Sequence, residues 1–197
     1  MRNLLVATLF VVACGGDDGG TSTKMDAPTQ TIDSPMQTID APAVTLDCPT
    51  YCTAIMTACT AARAQYDSMQ NCLDSCGTFP VGTAGAPSGN TLGCRANHAE
   101  MAKNDPATHC EHAGPAGAGA CGTLCEGFCA IGVAKCATQW PTAGACATAC
   151  GMFTHTPPYA VPESGNTAQC RLYHMTMAAT LPGGHCSHTM TTSSTCN

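Results

Sequence analysis

Cys48, Cys52, Ile55 and Cys59 advance by four, seven and eleven positions and so share one face of a predicted helix. A further helix is predicted to begin near Thr91, a good N-cap, and to end by Pro106. The same pattern recurs from Thr167 to Pro182. Pro- and Gly-rich stretches at 79–89 and 153–165 precede these helices and read as loops. Large apolar residues are scarce, but aromatics recur at matched places: Tyr51 with Phe128, Tyr66 with Trp140, and Phe79 with Phe153. They are expected in the core, because so small a module has little else to bury. The predicted fold is mainly α, two tandem small disulfide-stapled helical modules with long loops, at 47–122 and 123–197.

Cysteine changes this picture most. The chain of 197 residues has 17 cysteines, and sixteen of them form two successive sets of eight with nearly equal spacing. Modules of this size bury too little apolar surface to be secure without covalent staples. So many paired cysteines persist only in an oxidising compartment. Eight cysteines allow 105 pairings, which spacing alone does not resolve. Two antiparallel helices bearing the CxxxC pairs could be clamped by crossed bridges, Cys48 to Cys76 and Cys52 to Cys72, an arrangement that resembles the twin CxxxC hairpins of several small families. By position, Cys125 to Cys150 and Cys129 to Cys146 would repeat it. Only Gly122, Thr123 and Leu124 separate the two cysteine sets, so the modules abut and could share an interface.

The N-terminus carries different signals. Arg2 is followed by an apolar run that ends in Val11, Val12, Ala13 and Cys14, which resembles a bacterial lipoprotein signal at 1–13. That resemblance implies cleavage before Cys14, a lipid on its sulfur, and an outer-membrane address in the cell envelope. The run is too short for a transmembrane helix, which needs about 20 apolar residues. Residues 14–46 are rich in Gly, Asp, Thr, Ser and Pro and read as a disordered tether. The net charge of −6, with only seven Lys and Arg, argues against a nucleic-acid partner. A membrane, through the lipid anchor, and an unidentified protein or envelope partner are expected instead.

Comparison of the two modules isolates the residues that both keep. SGNT at 88–91 recurs at 164–167, followed in each copy by CRxxH and then HCxH. Six of the seven histidines fall at equivalent places: His98, His109 and His112, then His174, His185 and His188. Three imidazoles, two of them at i and i+3, could converge on one copper or zinc ion and leave a fourth position open. They could equally cap helices and hydrogen-bond carbonyls. Arg95 and Arg171 stand one turn before the first histidine of each set. They could join an anion or ligand site with the amides that open the helix, or bond the carbonyls of the preceding loop. The SGNT segment is accounted for by a turn and a cap, with glycine free to take positive φ. Ser88 and Ser164 lack a matched acidic partner and a GxSxG elbow, so no catalytic residue is assigned.

The double CxxxC, SGNTxxCRxxH and HCxH pattern, over 48–197, is similar to cysteine-rich repeats of uncharacterised bacterial lipoproteins. That resemblance implies an architecture and an address but no activity. The functional expectation is a lipid-anchored, extracytoplasmic binding or envelope-interaction protein, not an enzyme, with copper or zinc as its candidate cofactor. The alternative is a structural or adhesive spacer without metal, and a hydrolase or redox enzyme is the weakest reading.

Overall fold

The computed structural model describes residues 46–197. The readings made on 1–45, including the signal, Cys14 and nearly all of the tether, lie outside the described residues. In the first module α1 spans Cys48–Ala58, α2 Met69–Cys76, α3 Leu92–Met101 and α4 Pro106–Ala113. In the second, α5 spans Leu124–Lys135, α6 Ala143–Cys150, α7 Ala168–Thr180 and α8 Pro182–His185, with a 3-10 turn at Cys186–Thr189. No strand occurs among the described residues beyond one isolated bridge between Thr154 and Thr167. No described helix is long and apolar enough to cross a membrane.

Local chemistry sets the helix starts. The Thr91 hydroxyl accepts from the Cys94 N–H at 3.2 Å, and Thr167 from Cys170 at 3.0 Å. Such caps are worth about 1 kcal/mol each. The preceding loop satisfies further orphan donors of α3: the Leu92 and Gly93 N–H groups donate to the Pro80 and Val81 carbonyls at 2.8 and 2.9 Å. Gly93 is required here, because a Cβ would lie 2.0 Å from the Thr83 carbonyl oxygen. The loop is thereby pressed onto α3. Pro106 ends the α3 segment as expected but also opens α4, a helix the sequence reading did not foresee. Asp105 caps it by accepting from the Thr108 N–H at 3.2 Å.

Both modules use one bonding scheme. Cys48–Cys76 and Cys52–Cys72 cross-link α1 to α2, and Cys125–Cys150 and Cys129–Cys146 do the same for α5 and α6. Cys59–Cys110 then ties the end of α1 to α4, and Cys94–Cys121 ties α3 to the end of the module. Cys136–Cys186 and Cys170–Cys196 are their counterparts.

No described disulfide crosses between modules, yet residues 46–197 belong to one compact unit. Phe79 and Ala116 of the first module pack in the core of the second, among Phe128, Trp140, Leu172 and Met175. Helix α2 lies on α7, where the Asn71 amide donates to the Thr176 carbonyl at 3.2 Å and the Thr180 hydroxyl to Asp74 at 2.9 Å. The expected core aromatics are buried, except that Phe153 is only partly so. Tyr51 and Tyr66 meet edge to face at 6.4 Å, as do Phe128 and Trp140 at 5.3 Å.

The bridges between residues 51 and 50 positions apart close the largest loops. Chain-entropy reasoning gives each about 4 kcal/mol. Replacing Cys59 and Cys110 together by Ala should therefore lower unfolding free energy by about 2–5 kcal/mol in denaturant titration. An unchanged midpoint would show that this staple is dispensable.

Candidate metal centre

Helix α3 carries His98 and α4 carries His109 and His112, whose i, i+3 spacing puts both on one face. Disulfides hold each ligand-bearing helix next to its histidines. Cys94, one turn before His98, is bonded to Cys121, and Cys110, between His109 and His112, is bonded to Cys59. Tyr51 adds a further tie by donating its hydroxyl to the Ala113 carbonyl at the end of α4, at 2.7 Å.

The three imidazoles converge in both modules. Each set presents one ring nitrogen per residue, all within 4.8 Å of one another. In the first, Nδ1 of His98 and Nδ1 of His109 are 2.9 Å apart. In the second, Nδ1 of His174 lies 3.3 Å from Nδ1 of His185 and 3.4 Å from Nδ1 of His188. A tetrahedral ion with bonds of about 2.0–2.1 Å holds its ligand nitrogens about 3.3–3.4 Å apart. Two of the three separations in the second set already have that spacing. In the first set Nδ1 of His112 is buried without any hydrogen-bond partner, a state that ordinarily calls for an unseen partner.

An outer contact fixes one tautomer. Nε2 of His98 is 3.2 Å from the Pro87 carbonyl, to which it donates as N–H, leaving the Nδ1 lone pair facing the cluster. Burial and crowding disfavour protonation of three of the rings. Burial, then its neighbours His188 and His185, pulls His174 down to about 4. Burial and His188 lower His185, and burial, His98 and His109 lower His112. Neutral imidazoles are the form that ligates metal.

The other singled-out residues are placed differently. Arg171 donates to the Thr167, Met190 and Cys196 carbonyls and to Asn166, with distances of 2.9–3.2 Å, and stacks on Phe153. Arg95 stacks on Phe79 at 3.8 Å, reaches only the Thr91 carbonyl at 3.4 Å, and keeps Nε and Nη2 unpartnered. Both guanidiniums are buried inside the fold, where they pack the helix opening against its loop. Gly89 and Gly165 take φ of 100° and 81°, and Thr91 and Thr167 cap helices, so SGNT serves as turn and cap. Ser88 and Ser164 are exposed. His155, unmatched between copies, lies near the Cys125–Cys150 bridge, outside either triad. The sequence reading missed the Pro87 carbonyl and the role of the Cys94 and Cys110 bridges as braces. The adjacency of Cys94 and Cys110 to the matched histidines was the available signal.

The depressed His174 makes a signed prediction. Its folded pKa lies below the unfolded value, so below about pH 6.5 the unfolded chain takes up protons that the folded chain refuses. Its contribution to stability is complete above that pH and is lost as pH falls toward about 4. Metal-free protein should show a denaturation midpoint that drops between pH 7 and pH 4.5, with a shallower drop in His174→Gln. Identical slopes in the two proteins would contradict the assignment.

Comparison with known proteins corrects the expected origin. The model of the BfoA family C-terminal domain matches residues 23–126, just over half of the chain. The chain is similar to Aurasperone B biosynthesis cluster protein A of Aspergillus niger, 43% identical over 61 residues, which is 30% of this chain and 20% of the relative. It is equally similar to Bifonsecin B biosynthesis cluster protein A of Aspergillus brasiliensis, 43% identical over 61 residues with the same coverage. The chain spans about a fifth of the length of these curated relatives. No solved structure gives a significant match. These fungal relatives overturn both the resemblance to bacterial lipoproteins and the outer-membrane, lipid-anchored address inferred from Cys14. A short apolar run ending in cysteine is a weak pattern beside an extended match through the cysteine framework. This disulfide-stapled chain belongs to the BfoA family.

Proposed function

We propose that the protein is a metal-binding protein that holds one copper or zinc ion in each module, through His98, His109 and His112 and through His174, His185 and His188. The observation that carries this reading is the repeated convergence of three imidazoles at matched positions of the two modules. The buried, unpartnered Nδ1 of His112 supports it further. Three histidines leave an open position on a tetrahedral ion. The reading assigns no catalytic role to any residue and takes the protein as a binder, working where disulfides persist.

A second reading has one observation in its favour. His98 already bonds the Pro87 carbonyl and His109, as a purely structural spacer would require. Metal content separates the two. Full chain reconstituted with copper or zinc and desalted should retain two ions per chain by elemental analysis and native mass spectrometry. The His174→Ala/His185→Ala/His188→Ala variant should retain one and lose part of the metal-dependent rise in melting temperature. Protein that keeps well under one ion, and melts identically with and without metal, would support the spacer and defeat the metal reading.

A further inference from the structure

The charge of the two centres discriminates between ions. Each offers three uncharged nitrogen donors, and no carboxylate belongs to either triad. Glu111, beside His112, is turned away to accept from the Tyr159 N–H at 2.9 Å, and Ser187 stands at its place in the second module. Asp105 caps α4, and Leu181 takes its position in the other copy. No anionic partner is therefore common to the two sites.

A fixed positive charge stands one helical turn away instead. Arg95 and Arg171, 0% and 1% exposed, lie one turn before His98 and His174, and neither has a carboxylate ion-pair partner among the described residues. Repulsion from such a charge is twice as large for a divalent ion as for a monovalent one, and burial lowers the screening. A divalent ion held by the same three neutral donors therefore carries the larger electrostatic penalty. A disulfide also lies beside the central imidazole of each set. The sulfurs of Cys94 and Cys121 come within 4.8 Å of a His98 nitrogen, as those of Cys170 and Cys196 do at His174.

Resting on the metal-binding reading above, we infer that the cargo of both centres is monovalent copper. A closed-shell monovalent ion is satisfied by three imidazoles, whereas zinc keeps a fourth ligand. A flat three-coordinate ion with bonds of about 2.0 Å spaces its donors about 3.5 Å apart. The 3.3 and 3.4 Å separations around His174 lie within about 0.2 Å of that spacing and of the tetrahedral one alike, so the choice of ion rests on charge and donor set.

The test uses the full, disulfide-bonded chain without oxygen. Copper(I) held by a chromophoric chelator is titrated with metal-free protein, and in parallel the protein preloaded with zinc is exposed to equimolar copper(I). Withdrawal of two copper(I) ions per chain and displacement of at least nine-tenths of the zinc are expected. Two zinc ions retained against copper(I) would overturn the choice of ion and leave the metal-binding reading standing. Failure to bind either metal would overturn both.

Discussion

The Cys59–Cys110 bridge and its counterpart Cys136–Cys186 are the constraint on which the rest depends. Each joins the end of the first helix of a module to the segment that carries two of its three histidines. Without it, α4 would be held by its contacts with α1 and α3, by the Tyr51 hydroxyl and by the Glu111 bond to the Tyr159 N–H. In the second module the need is greater. Pro182, Gly183 and Gly184 are exposed and leave α8 a single turn, so Cys186 is the firm anchor between His185 and His188. Framework and site are thus one construction, with covalent bonds supplying the rigidity that a larger core would otherwise give.

The arginines complete that construction from the other side. Arg171 gathers the Thr167, Met190 and Cys196 carbonyls around one guanidinium, and so connects the start of α7 to the chain terminus. Arg95 occupies the same position but is poorly partnered, with the Asn90 side-chain oxygen also buried and unpaired. In the second module the matching asparagine, Asn166, does accept from its arginine. The two copies share one design, expressed more completely in the second.

Much of the fold was legible because its signals are local. The helical stagger of Cys48, Cys52 and Ile55, the caps at Thr91 and Thr167, and the matched aromatics each report on a few neighbouring residues. Duplication extended this reach, since agreement between copies marked His98, His109 and His112 as a set. What remained illegible depends on contacts distant in sequence. That Phe79 would enter the core of the other module, or that the Pro87 carbonyl would orient His98, follows from how the loop at 79–89 folds back on α3, which no periodicity encodes. The cellular address was misread for a related reason: it rested on a few residues around Cys14, while family membership rests on an extended match through the first module.

The central claim is that disulfide-braced histidines form a metal centre in each module. The most direct measurement is a crystal structure of metal-reconstituted protein, with anomalous diffraction collected on either side of the metal absorption edge. The account predicts two anomalous peaks per chain, each about 2.0–2.1 Å from Nδ1 of three histidines, His98, His109 and His112 at one and His174, His185 and His188 at the other. Well-ordered triads without anomalous density, or density located only at other residues, would contradict it.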